Sequence, residues 1–222
     1  VEILPILPAV ISTQKSNRGF EGLAISGGGD TLYVAQQSPL NNPTTKVSKK
    51  SRNLRIYKID IKNEVKVTAE FVNVRDADSS DDGDWKTSAI VFLAKDRLLI
   101  EERDAEQPTV NTMLYAVDFS KATNILGSKF DGSSTPTLEQ LDPSDLSKNK
   151  VVPGTKKLVF DAAAAKLGNG KIEDIALQPS GGKSLLTLIN DNDFGVAGIN
   201  DDGSVTPNNI PTRLDSYLIT TP

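Results

Sequence analysis

The sequence predicts an all-β fold, a β-propeller-like arrangement of small antiparallel blades, and three features predict it. A strand–turn–strand phrase recurs along the chain, further strand-like runs separate its copies, and the punctuation between them is Gly, Pro, Asp and Ser. The 37% hydrophobic content and mean hydropathy of −0.28 are low for a helical bundle and ordinary for a loop-rich β protein.

The first copy of the phrase runs over residues 19–25 (GFEGLAI), turns at 26–30 (SGGGD) and continues through 31–35 (TLYVA). Residues 54–61 (LRIYKIDI) alternate apolar with polar, and 65–72 (VKVTAEFV) supply another strand candidate. A weaker copy follows at 88–93 (SAIVFL), with a turn at 94–96 and a second run at 97–101 (RLLIE). Residues 113–119 (MLYAVDF) and 157–160 (KLVF) add two strands. The last copy is 171–177 (KIEDIAL), a turn at 179–182 (PSGG) and 184–189 (SLLTLI). Glu21 aligns with Glu173 and Ala24 with Ala176 at one common offset, and Leu23, Ile90 and Ile175 mark the same place in the three copies. Two short β-rich runs around a Gly- or Asp-containing turn make a hairpin. Helical signals are thin. Residues 161–167 (DAAAAKL), closed by Gly168, predict two helical turns with Asp161 as N-cap, and 136–150 predict a short helical turn inside an excursion. Lys46, Lys49, Lys50 and Arg52 sit among Asn, Pro, Thr and Ser and read as a solvated loop.

Recurring hairpins with strands between them fit the radial repetition of small sheets. A blade takes about 40–45 residues, so 222 residues hold about five at most, and the unequal spacing of the copies requires long loops. A β-sandwich is the rival that repeats alone leave open. All-β folds of this length commonly form one unit, so residues 1–222 are read as a single domain.

Composition removes several functions. A formal charge of −4 and no basic stripe argue against nucleic-acid binding. No apolar run approaches the roughly 20 residues that span a bilayer. Without cysteine there is neither a disulfide frame nor a thiol site, which leaves the compartment open. Val1 is followed by no charged n-region or apolar h-region, as in a mature exported chain or a fragment. The absence of histidine is the most useful fact: it removes Ser-His-Asp and Cys-His catalysis and His-ligated zinc. Carboxylates, Lys, Arg, Tyr, hydroxyls or a hard metal remain.

Residues 17–24 (NRGFEGLA), 37–40 (QSPL), 99–104 (LIEERD) and 190–195 (NDNDFG) come in an order and spacing that resemble the phytase-like family, the esterase-like activity of phytase, over roughly residues 8–197. The resemblance implies a propeller, a secreted or periplasmic protein, and hydrolysis of phosphoesters or other esters. That family carries blades ahead of the first phrase, where this chain has only a short segment. The expectation is therefore the C-terminal part of such a domain, an incomplete ring or part of a longer chain, closed by a missing segment or a second chain. Ser88-Ala89 also stands where an acidic or Gly-containing pair is common, so the second hairpin is the weakest source of ligands.

Glu21, Glu102, Glu173, Asp191 and Asp193 lie at the ends of candidate strands, which a propeller brings towards its axis. Clustered carboxylates repel unless a cation sits among them. Calcium would take Glu21, Glu102, Asp104, Glu173, Asp191 and Asp193 as oxygen ligands. Arg18 and Arg103 offer the alternative neutralisation and would also bind an anionic ester. Three readings stay open for Glu21, Glu102 and Glu173: locks between blades, metal ligands, or catalytic groups of a metal-assisted phosphoesterase or esterase. A non-catalytic extracellular or periplasmic binding scaffold is the alternative function. A one-residue slip in register would exchange Glu102 for Glu101 or Arg103. Residues 78–83 (DSSDDG) match the first half of a calcium loop, but the twelfth position holds Ala89 instead of an acid. Gly182-Lys183-Ser184 lacks the earlier Gly of a phosphate-binding loop, and Ser26 lacks the flanking Gly of a nucleophile elbow, so both read as turns.

Overall fold

A computed structural model describes residues 5–76, 85–104, 111–132, 134–167 and 171–222. Strands β1 (Phe20–Ile25), β2 (Thr31–Gln36), β3 (Asn53–Asp60) and β4 (Lys66–Val74) form one four-stranded antiparallel sheet in chain order. Strands β5 (Ile90–Ala94), β6 (Arg97–Arg103), β7 (Thr112–Asp118) and β8 (Thr155–Asp161) repeat that meander. The third sheet has three strands, β9 (Ile172–Ser180), β10 (Lys183–Asn190) and β13 (Leu214–Ile219), with β10 in the middle. Between β10 and β13 the chain makes a two-stranded ribbon, β11 (Val196–Ile199) with β12 (Val205–Pro207). β1 packs beside β5, and β5 beside β9. The first strand of each sheet thus neighbours the first strand of the next, as innermost strands do in a propeller. The chain is all-β, and its sheets are antiparallel propeller blades.

Apolar side chains on both faces of the second blade explain why the sheets stack. Along β6, Leu98 and Ile100 point one way and Leu99 the other, as the pleat requires. Leu98 and Ile100 join Tyr33, Ile56, Phe71 and Phe119 between the first and second blades. Leu99 joins Leu114, Phe160, Ile175, Leu186 and Leu188 between the second and third. Each such fully buried side chain contributes about 1.5–3 kcal/mol. β1 approaches β5 closely because Gly22 has no side chain: a Cβ there would lie 3.1 Å from both Ala35 and Ile90.

The excursion between β7 and β8 runs along the outer edge of the first blade. Ile125 N donates to Glu70 O at 2.9 Å and Gly154 N to Val72 O at 2.9 Å, which caps the otherwise unpaired edge of β4. Beneath it the Arg55 guanidinium, 1% exposed, donates to Glu70, Glu139 and the Phe130 carbonyl. The expected helical turn appears as three 3-10 turns, Leu138–Gln140, Pro143–Asp145 and Ser147–Asn149.

Two local expectations are corrected. The basic cluster is not a loop but begins as helix α1 (Thr45–Lys50), because the Thr44 side chain accepts from Val47 N and caps it. Residues 161–167 are not a two-turn helix. Asp161 does accept from Ala164 N at 3.0 Å, but β8 extends through Asp161, and Ala162 N still donates to Thr112 O. The remaining residues close one turn before Lys166 adopts φ 57°; Gly168 lies outside the described residues. The two motif-like turns behave as turns. Gly181 (φ 54°) and Gly182 (φ 79°) join β9 to β10 with the paired positive φ of a tight hairpin. Ser26 Oγ donates to Asp30 Oδ1 at 2.7 Å and accepts from Thr31 N at 3.1 Å.

Candidate functional site

The beginnings of β1, β5 and β9 and the end of β6 meet at one mouth of the blade stack. Lys86, just before β5, pairs its backbone with Arg103 at the end of β6. Thr87 N donates to Gln37 O just beyond β2, tying the first blade to the second. Arg103 reaches across to Glu173, the second residue of β9.

Arg103 is the centre of this end. It is 1% exposed, and its Nε donates to Ser88 Oγ at 3.0 Å, one terminal nitrogen to the Asp104 carbonyl at 3.0 Å, and the other to Glu173. Ser88 occupies the place in the second hairpin that Glu21 and Glu173 hold in the first and third. One guanidinium therefore joins equivalent positions of two adjacent blades, and the third equivalent residue, Glu21, lies within its field. The Glu21 side chain is exposed, and its carboxyl is held above the usual carboxylate range, first by partial desolvation and next by the charge of Glu173. Arg103, Lys86 and Arg18 oppose that rise. Arg18 also donates to Ser38 Oγ at 3.3 Å, which sets its guanidinium beside the QSPL segment.

Glu101 belongs to the same face of β6 as Arg103. Fully buried, it accepts from Ser88 N at 3.1 Å and lies 3.7 Å from Arg103 Nε. Burial pushes its carboxyl up to about 8 despite Arg103.

Glu102 points to the opposite face, away from Glu21 and Glu173. It accepts from Asn73 Nδ2 at 3.0 Å, Lys156 Nζ at 2.8 Å and Asp76 N at 3.2 Å, wholly inside the contact between the first and second blades. Lys156 sits 3.8 Å above the Tyr115 ring. The expected approach of Glu21, Glu102 and Glu173 does not form: β6 pairs Glu101 with Leu114 and Glu102 with Met113, so Glu102 turns away and Glu101 takes the Arg103 face, within the field of Glu173.

The remaining expected ligands are engaged elsewhere. Asp104 accepts from Asn111 Nδ2 and closes the β6–β7 connection. Asp191 and Asp193 share Lys171, 2.8 Å from Asp191 Oδ2, and that ammonium holds the Asp191 carboxyl below its ordinary value. A calcium site wants six to eight oxygens. Among the described residues no three acidic side chains converge so as to hold a metal ion, and Arg103, Lys156 and Lys171 stand where the ion would neutralise them. This donor set does not fit calcium. The half calcium loop at 78–83 lies outside the described residues.

Sequence reasoning missed Lys86 and the conformation of Phe194, and named Glu101 only as the residue that a one-residue slip in register would exchange for Glu102. Phe194 is 99% exposed with φ 58°, between Asp193 (φ 50°) and Gly195 (φ 73°). A bulky residue held left-handed at a surface is uncommon and concentrates at functional sites. The signal for Lys86 was present in the equivalence of Ser88 with Glu21 and Glu173, which marks the approach to β5 as part of the mouth.

No helix among the described residues is long and apolar enough to cross a membrane. No curated protein and no solved structure matches the chain. A family model described as phytase-like, esterase-like activity of phytase, matches residues 3–194. That range takes in the first two blades, the β9–β10 hairpin and every residue placed at the mouth. The match is nearly the length of the chain, and the expectation of a C-terminal part of the domain is set aside. Its extent, over blades whose equivalent residues meet at Arg103, shows that the chain belongs to the phytase-like family.

Proposed function

We propose that the chain hydrolyses small anionic esters, phosphoesters first among them, at the mouth formed by Glu21, Glu173 and Arg103. The observation that carries this reading is the meeting of two carboxylates from equivalent positions of separate blades around one guanidinium, with Glu21 open to solvent and its carboxyl raised. An acid of raised pKa beside fixed cations is what ester cleavage without histidine requires. In this reading Arg18 and Lys86 hold the anionic ester, and Arg103 holds Glu173 in place. Protonated Glu21 gives its proton to the leaving oxygen and regains one from the attacking water. Family membership supports the reaction class, and it alone supports location in the periplasm or outside the cell.

A binding scaffold is the second reading, and the locked state of Arg103 favours it: its hydrogen bonds run to Ser88, Asp104 and Glu173 of the chain itself. Turnover of 4-nitrophenyl phosphate and 4-nitrophenyl acetate separates the two. The hydrolase reading expects saturable turnover that Glu21→Gln lowers by roughly 100-fold, with an unchanged melting curve. It also expects indifference to a chelator, since no described donor set fits a metal. Turnover indistinguishable from buffer, or equal in Glu21→Gln, leaves the scaffold. Loss on chelation would return a cation to the mouth.

A further inference from the structure

On the flank of the first blade, α1 and the excursion between β7 and β8 enclose a cavity of about 440 Å³. That is within the range of small-ligand sites, roughly 300–1,000 Å³. It shares no lining residue with the mouth. Lys46 and Lys50, one helical turn apart on α1, lie on its wall, and Arg52 follows them. Both lysines are exposed, and among the described residues neither has an ion-pair partner. Arg52 is fixed at the rim by its Nε, which donates to the Arg75 carbonyl at 2.8 Å. Val47 and Leu141 supply an apolar surface.

The acidic side of the cavity is the informative one. Glu139 lines it, is 3% exposed, and accepts from Arg55 Nε through Oε1 at 2.9 Å. Its other oxygen, Oε2, is buried without a hydrogen-bond partner. Buried acceptors are seldom left unmet, and this one belongs to a residue whose charge Arg55 already balances. The cavity wall thus carries three cations, the Asp142 carboxylate engaged by Ser144, and the unmet acceptor of Glu139. It suits a molecule with an anionic group at one end and a donor at the other.

We propose that this cavity binds a small hydroxylated anion. Its anionic group rests on Lys46, Lys50 and Arg52, and one hydroxyl donates to Glu139 Oε2. Neither feature alone would select such a ligand: the cations would take any anion, and the acceptor any donor.

Calorimetric titration of the whole chain with glycerol 3-phosphate, methyl phosphate and glycerol tests the pairing. Glycerol 3-phosphate should bind saturably and about tenfold more tightly than methyl phosphate, a difference of about 1.4 kcal/mol, and glycerol should give no saturable heat. The double variant Lys46→Gln, Lys50→Gln should lose at least tenfold in affinity for glycerol 3-phosphate. Its melting curve should not move, because both side chains are exposed. Turnover of 4-nitrophenyl phosphate at the mouth should match the wild type, so failure there and failure here are separate events. Equal affinity for glycerol 3-phosphate and methyl phosphate, no saturable binding of either, or undiminished affinity in the double variant would overturn the proposal.

Discussion

Adjacent residues of β6 carry the same carboxyl group into unlike surroundings, and the pleat alone separates them. Glu102 is ion-paired with Lys156, which is itself largely buried at 13% side-chain exposure. Removing one partner of a buried pair leaves the other charge uncompensated, at a cost of about 3–5 kcal/mol. Glu102→Ala should therefore destabilise the chain by about 3 kcal/mol in urea unfolding, whereas Glu21→Gln should not. Equal and small effects would remove Glu102 from the contact between blades. Glu101 makes a different prediction. Its folded pKa of about 8 lies above the ordinary carboxylate value, so between the two the folded state binds the extra proton. Stability from this group is complete below the unfolded pKa and is lost as pH rises through about 8. Glu70, also pushed up to about 8 by burial, acts in the same direction. Urea midpoints should fall between pH 5 and pH 9, and Glu101→Gln should flatten that slope. A wild-type profile that is flat over this range would mean that Arg103 keeps Glu101 ionised.

At the scale of single elements, what could be read from the sequence was whatever a turn punctuates. The β1–β2, β5–β6 and β9–β10 hairpins were legible because alternating apolar runs flank Gly- or Asp-bearing turns, and Gly181-Gly182 states its turn type outright. Strand β13 alternates just as well, but the ribbon of β11 and β12 separates it from its partner β10, so no turn announces the pairing. Helix α1 was illegible because six residues rich in Lys are weak helix formers alone; the Thr44 cap and packing against residues 138–140 supply the rest. At the mouth, Glu21 and Glu173 were legible from their alignment. Glu101 was not, because nothing in the sequence fixes register to one residue. Gly154 shows how closely the excursion is fitted. A Cβ there would lie 2.6 Å from the Phe119 ring and 2.7 Å from Val117. Gly154→Ala should cost about 1–3 kcal/mol by overpacking, read as a lower urea midpoint. An unchanged midpoint would mean that the Phe119 ring yields.

For the whole molecule, the equivalence of the three hairpins shows which surfaces lack a neighbour. Ile90 and Phe92 of β5 pack back onto the first blade, and Ile175 and Leu177 of β9 pack back onto the second. The same two positions in β1 are Leu23 and Ile25, and they are 63% and 54% exposed. Residues 6, 7 and 11 cover part of that face, over Val34, Tyr57 and Ile59, and leave the inner strand bare. On the outer face of the third blade Ile189, Leu214 and Leu218 are 38%, 68% and 55% exposed. Each face has the apolar character of a buried contact between blades, and solvent-exposed patches of that kind drive association. We propose that these two faces meet a second copy of the chain, which covers them. The 222-residue chain on its own should then self-associate, its weight-average mass rising with concentration in sedimentation equilibrium. Leu23→Lys and Leu218→Lys, each on a side chain already in solvent, should shift that curve towards the monomer without lowering the melting temperature. The two should not add, because a contact between unlike faces is lost when either is charged. A chain that stays monomeric at every concentration, or association that neither substitution weakens, would place the contact elsewhere and leave both faces as ordinary exposed surface.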